Sequence, residues 1–275
     1  MGRLKFLLHP QKIGHAGTLD PLATGVLPIA LGKSTRLIPF VMEGTKTYEF
    51  DIKWGVETDT DDLGGSERAI SDVRPKKEEI LKILPKFRGK ITQIPSPYSA
   101  IKIDGERAYN LARKGEQVDM PSRKITVCQL ELLNNSKARA SFIAKVSKGT
   151  YIRTLAHDIA HALGTVGVVT RLHRTQDGPF EIEQAVSLEG DLKILPMEYV
   201  LEDLPRLNVS DDVAKRIIHG QRIKNKHLTA NLPQSTPIAI WNQKKVIAIM
   251  HIERDVLHPD CVLSATISRI EQIWN

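Results

Sequence analysis

From Thr45 to Gly55 apolar and polar residues alternate without a break: Tyr48, Phe50, Ile52 and Trp54 fall on one side, Glu49, Asp51 and Lys53 on the other. A strand repeats every two residues, so this run reads as a half-buried strand with a polar face. It commits the chain to a sheet with one face covered. Lys124–Leu133 and Ala138–Ser147 read as two further strands joined by an Asn134-Asn135-Ser136 turn, and Val166–Arg174 as another. Glu78–Phe87, with Ile80, Leu81 and Leu84 at helical spacing, reads as a helix, as does Thr154–Leu163, which Gly164 ends. Glu57–Glu67 is a polar turn containing Gly64-Gly65. Strands and short helices therefore interleave, with no internal repeat and no low-complexity linker, and the class expected is α+β.

Ile94–Met120 has a different texture. Pro95 and Pro97 punctuate its start, Arg107–Lys114 reads as a short helix, and Gly115 stands where that helix would end. The segment reads as a mobile insertion between strands. After an acidic stretch, Thr175–Leu204, the dipeptide Leu204-Pro205 opens a tail with one short helix, Asp211–His219. A hairpin follows, Pro237–Trp241 and Val246–Ile252 flanking Asn242–Lys245. The expected division is residues 1–204 and residues 205–275.

Composition removes several classes. With 41% hydrophobic and 26% charged residues the chain is not mainly disordered. No apolar run approaches the roughly 18 residues of a membrane helix. Phe6, Leu7 and Leu8 form too short a patch for a signal peptide, so the expected compartment is the cytoplasm. Cys128 and Cys261 show no metal or redox spacing. The net charge of +7 is concentrated in three blocks. Lys86–Lys124 holds nine basic and four acidic residues, Lys137–Arg174 seven and one, and Pro205–Asn275 ten and six. Basic blocks suit a polyanion partner, most often nucleic acid.

Several motifs fail on inspection. Gly32-Lys33-Ser34-Thr35 lacks the glycine a phosphate loop needs five places earlier, where Leu27 stands. Asp59, Asp61 and Gly64 suggest a calcium loop, but Leu63 and Ile70 occupy ligand positions, and the stretch reads as a solvated turn. His157 and His161 lie one helical turn apart, yet Asp158 replaces the glutamate of zinc hydrolases and no third ligand is evident; two surface histidines are the reading.

Lys12–Arg36 reads KIGHAGTLDPLATGVLPIALGKSTR. Gly14 and Gly17 flank His15, and Pro21 suits the first position of a short helix, for which Asp20 would be the N-cap. The run GHAGTLDPLATGVLPIALG resembles the signature of the bacterial tRNA pseudouridine-55 synthases, the TruB family. The likeness continues through KTYEFDIKWGVETDTDDLGG, QIPSPYSAIKIDGERAYNLARKGE, SKGTYIRTLAHDIAHALG and LPRLNVSDDVAKRIIHGQRI, in order and over most of the chain.

The resemblance implies a pseudouridine synthase domain on a mixed, largely antiparallel sheet with flanking helices. It also implies a thumb-like insertion at about residues 94–120 and a small β-rich PUA-like RNA-binding module at 205–275. The implied reaction isomerises uridine-55 in the tRNA T-loop without metal or other cofactor. Asp20 maps to the catalytic aspartate and Arg153 to its arginine partner. Tyr48 maps to the tyrosine that stacks on the flipped base, Tyr151 and Leu172 to the lining of the uracil pocket, and His15 to the histidine filling the space that base vacates. The implied partner is the tRNA T-arm, met by a monomer with no obligatory protein partner and no membrane. Relatives begin with a further strand and a Lys-Pro-containing segment, whereas 14 residues precede His15 here. That departure leaves an alternative, a tRNA-binding or RNA-folding protein with little turnover. An unrelated glycosidase would need a second acid, which the sequence does not put beside Asp20.

Overall fold

The computed structural model describes residues 1–230 and 232–263. The chain forms two compact units: one comprises Met1–Ala16, Ile29–Val41 and Val186–Asn275, the other Gly17–Pro28 and Met42–Ala185. No helix among the described residues is long and apolar enough to cross a membrane.

The second unit is built on a sheet of seven strands among the described residues. Its order is Phe180–Glu181, Gly167–Asp177, Lys46–Trp54, Arg139–Val146, Arg123–Asn135, Gly89–Gln93, with Ala23–Gly25 also pairing on Gly167–Asp177. Every pairing is antiparallel except that of Ala23–Gly25, which is parallel. The mixed, largely antiparallel sheet is therefore present.

The alternating run lies at its centre. Phe50 faces Phe142 on one neighbour and Leu172 on the other. The Phe50 and Phe142 rings stack with centroids 5.3 Å apart, and Trp54 meets Phe142 edge-on at 6.5 Å. Leu155, Ala156, Ile159 and Ala160 of the helix Ile152–Ala162 complete this core. Burying large apolar side chains of this kind contributes roughly 1.5–3 kcal/mol each. Lys53 is exposed as the alternation requires, but Asp51 is only 8% exposed. It lies between Ser141 and Arg171 on the flanking strands of the sheet.

Some boundaries move for identifiable reasons. Asn134 and Asn135 are paired strand residues, not turn residues. The turn sits at Ser136–Ala138, where the Ser136 amide donates to the Arg139 carbonyl at 2.8 Å and the Ser136 hydroxyl accepts from the Arg139 amide at 3.2 Å. A bulge between Leu132 and Asn134 absorbs the change of register. The helix expected over Glu78–Phe87 is α-helical at Lys77–Ile83 and tightens to a 3₁₀ turn at Leu84–Phe87. Pro85 has no amide to continue the α pattern. Residues 94–120 carry a two-residue hairpin, Lys102–Ile103 with Glu106–Arg107, and the helix Ala108–Arg113, none of it in the main sheet.

In the first unit Ile13–His15 pairs antiparallel with Ile29–Leu31. A five-stranded sheet among the described residues runs Arg206–Asn208, Ile238–Asn242, Lys245–Glu253, Val256–Val262, Ile223–Lys224. Its strands alternate between two apolar faces. Ile238, Ile240, Ala248, Met250 and Ile252 pack with Ala214 and Ile217 of the helix Asp211–Ile218. Ala239 and Ile249 pack instead with Leu37 and Leu201. The expected hairpin thus lies within this sheet, and the expected helix packs against it. Residues 264–275 of the expected 205–275 module lie outside the described residues.

Candidate active site

The helix that Asp20-Pro21 suggested does not form. The Ala23 amide donates to the Asp20 carbonyl at 2.9 Å in a turn, and Ala23–Gly25 then continues as a strand alongside Leu172–Arg174. Gly25 makes that approach possible. Its φ is +102°, and a Cβ built there would stand 2.2 Å from the Arg174 carbonyl oxygen. The following residue locks the contact: the Val26 amide donates to the Arg174 carbonyl at 2.8 Å, and Arg174 Nε donates to the Val26 carbonyl at 2.7 Å. Pairing with the sheet thus overrides the capping preference, and the Asp20 carboxylate is free of a capping role.

It meets Arg153 instead. Arg153 Nε donates to Asp20 Oδ2 at 2.9 Å, and a terminal nitrogen reaches Oδ1 at 3.5 Å. The rest of the guanidinium is fully engaged. It donates to the Thr60 carbonyl at 2.6 Å and the Tyr98 carbonyl at 3.1 Å, and lies 3.4 Å from Asp62 Oδ2. The Arg153 side chain is 7% exposed, Asp62 13% and Asp20 34%. One buried cation therefore holds two carboxylates, and the more open of them is Asp20. Arg153 is the second residue of the helix Ile152–Ala162, where the helix dipole disfavours a cation. Asp20, Asp62 and two carbonyl dipoles offset that cost and the cost of burial.

Asp62, Thr60 and Tyr98 escaped the reading of the sequence. The Asp59–Asp62 stretch is not merely a solvated turn. Asp62 binds Arg153 and accepts from the Gly64 amide at 2.8 Å, while Asp59 accepts from the Ser66 amide at 2.9 Å and the Tyr98 hydroxyl at 3.0 Å. That last bond pushes the Tyr98 phenol above its usual pKa. The first residues of the 94–120 insertion are thereby tied to the loop that holds Arg153.

Tyr48 stands at the other side of this region. Burial raises its phenol above the ordinary 10.0, with the positive charge of Arg174 acting in the opposite direction. Asp177 and Asp20 both lie within electrostatic range of the phenol. Arg174 is itself buried, 3.3 Å from Asp177, and Lys46 lies 3.1 Å from the same carboxylate. Burial pushes Asp177 up while Arg174 and Lys46 pull it down.

The other anticipated residues take separate positions. Leu172 is buried in the core to which Leu22, Ala23 and Tyr48 also pack. Tyr151 caps the Arg153 helix; its amide and carbonyl are both bonded by the Gln93 side chain, at 3.1 and 3.2 Å, and the Arg123 guanidinium lies 5.5 Å from its ring centre. His15 ends the Ile13–His15 strand in the first compact unit, whereas Asp20, Arg153, Tyr48, Tyr151 and Leu172 are all in the second. Two groups of side chains among the described residues converge well enough to hold a metal, Glu57-His157-His161 and His251-Glu253-His258. Neither includes Asp20 or Arg153.

Comparison with known proteins agrees with this architecture. Residues 5–152 match the N-terminal domain of TruB family pseudouridylate synthases, and residues 153–193 match the tRNA pseudouridylate synthase B C-terminal domain. A Sinorhizobium medicae protein named tRNA pseudouridine synthase B is 42% identical over 96% of this chain and 90% of its own length. A protein of the same name from Brucella ovis is 38% identical over 96% and 91%. Among solved structures, the crystal structure of a Cbf5-Nop10-Gar1 complex contains a chain with TM-score 0.72 and 25% identity, covering 96% of this chain and 80% of that one. A structure of an H/ACA RNP bound to a substrate RNA containing 2'-deoxyuridine shares the fold, with TM-score 0.69 and 23% identity over 96% of this chain and 80% of that one. The chain belongs to the TruB family of pseudouridylate synthases.

Proposed function

We propose that the chain isomerises uridine-55 in the T-loop of tRNA to pseudouridine, with Asp20 as its catalytic carboxylate. The observation that carries this reading is the Asp20–Arg153 pair: a partly open carboxylate gripped from behind by a buried guanidinium that other groups saturate. The reaction breaks the N-glycosidic bond of uridine, turns the uracil and rejoins it through carbon. A base inside a folded loop must first leave its stack. Asp20 then meets the extruded nucleoside, and Arg153 keeps its carboxylate oriented.

Tyr48 stacks on the extruded base, an interaction worth roughly 1–3 kcal/mol. Its phenol, held above its ordinary pKa by burial, stays neutral at physiological pH. Leu172 and Tyr151 line the uracil pocket, and His15 occupies the space the base leaves. No step requires a metal or redox cofactor. The basic insertion at 94–120 grips the T-arm phosphates, and residues 205–275 form the second RNA contact, in a monomer working in the cytoplasm without an obligatory protein partner. Recognition is then of a folded RNA shape rather than of duplex sequence.

The test is to incubate unmodified tRNA with the chain and label it with a reagent that adds mass to pseudouridine and not to uridine (the two isomers share one mass). The labelled positions are then mapped. Pseudouridine confined to position 55 is the expected product. Tight tRNA binding with no product would favour the alternative of an RNA-binding protein with little turnover.

A further inference from the structure

The helix Ile152–Ala162 turns Arg153 inward and carries His157 and His161 on its outer side. Sequence shows no third ligand for these histidines, but the fold supplies one. Glu57, from the short strand Val56–Thr58, brings Oε2 to 2.7 Å from His161 Nε2 and 3.7 Å from His157 Nε2. The two imidazole centres are 4.1 Å apart, and the three ligand atoms lie within 4.8 Å of one another. In a tetrahedral zinc site, bonds of roughly 2.0–2.2 Å put neighbouring ligand atoms about 3.3 Å apart. The observed separations bracket that value.

We propose that Glu57, His157 and His161 form a binding site for a zinc-class divalent transition-metal ion, with water completing the coordination. The donor set is two imidazoles and one carboxylate, which suits zinc, cobalt or nickel better than calcium or magnesium. His157 Nδ1 lies 3.3 Å from Asp158 Oδ1, which leaves Nε2 free for the ion and supplies the outer carboxylate usual for a ligating histidine. Asp61, with Asp158 and Glu57, adds negative potential at His157. Glu57 is 17% exposed and His161 49%, so the site is open enough to load without unfolding. A bound ion would staple the strand leading into the Thr60–Asp62 loop onto the helix that presents Arg153. Its role is positional, and the site stands whatever RNA the chain modifies.

The experiment uses the full chain carrying His251→Ala and His258→Ala, which removes the other converging group. Titration with cobalt(II) is expected to saturate at one ion per chain with the visible absorption of a tetrahedral site, and zinc is expected to displace it. Each of His157→Ala, His161→Ala and Glu57→Gln is expected to weaken binding by about tenfold or more. Zinc should raise the melting temperature of the background protein and not that of these variants. Absence of cobalt absorption and of a zinc-dependent melting shift overturns the proposal, as does cobalt binding that survives His157→Ala and His161→Ala undiminished. His161→Gln, at a half-exposed position, serves as the second variant should the alanine form fail to fold.

Discussion

Asp20 and Arg153 divide one task unequally. Arg153 is buried and bonded on every side, so its loss disturbs Asp62 and two carbonyls as well as Asp20, whereas Asp20 can be neutralised with Arg153 still anchored. Asp20→Asn is therefore expected to abolish pseudouridine formation while keeping tRNA affinity, and to fold within about 1 kcal/mol of wild type. Turnover near wild type would remove Asp20 from the mechanism. Arg153→Lys keeps the charge but loses the planar fork that reaches two carboxylates and two carbonyls at once. Its expected loss is on the order of 10²-fold in kcat on unmodified tRNA, the scale of an ångström of misplacement. Tyr48 titrates above 10.0 in the fold, so the folded state prefers the protonated phenol. That preference is intact below the ordinary tyrosine pKa and is lost as pH rises above it. Melting curves from mildly to strongly alkaline pH should fall more steeply for wild type than for Tyr48→Phe, and parallel slopes would contradict the burial argument. At this scale the acid and its arginine were legible only through a long motif. Asp62 looked like any turn aspartate, and the Thr60 and Tyr98 acceptors are main-chain oxygens that no residue type reveals.

Strand and loop geometry account for why the motif around Asp20 has the shape it has. Asp20-Pro21 carries a helix-start signal, yet Ala23–Gly25 joins the sheet beside Arg174, and pairing with a sheet outweighs a single cap worth about 1 kcal/mol. Gly25 is the residue that permits it. Gly25→Ala must either leave a φ of +102° or drive its Cβ into the Arg174 carbonyl. The expected cost is about 2–4 kcal/mol, read as a lower urea midpoint with an unchanged slope. An unchanged midpoint would mean that this strand adds little to the fold. The Lys46–Trp54 strand was readable in advance because a period of two has one physical meaning. Its covered Asp51 was not, because what lies above a polar face belongs to segments elsewhere in the sequence.

For the whole molecule, the net charge of +7 and its three basic blocks are the coarse signal for a polyanionic partner. The insertion offers a specific test. Lys102 is exposed on its hairpin, and a lysine that meets a phosphate contributes about one unit to the slope of log affinity against log salt. Lys102→Gln is expected to weaken tRNA binding and reduce that slope by about one; an unaltered slope would place the RNA elsewhere. The outer histidines of the Arg153 helix teach the complementary lesson. Helical spacing identified the pair, but their converging carboxylate comes from a strand 104 residues earlier than His161.

By itself the amino-acid order determined the alternating central strand, the helix that ends at Gly164, the basic blocks and the family, because each is written in local periodicity, charge or an unbroken motif. The tertiary structure alone decided that Asp20 answers to Arg153 rather than to a helix start. It alone made Asp62 a partner of that arginine and brought Glu57 to His157 and His161. The reason is physical: a long-range contact depends on where the sheet carries each segment, and the residue types at its two ends contain no record of that path.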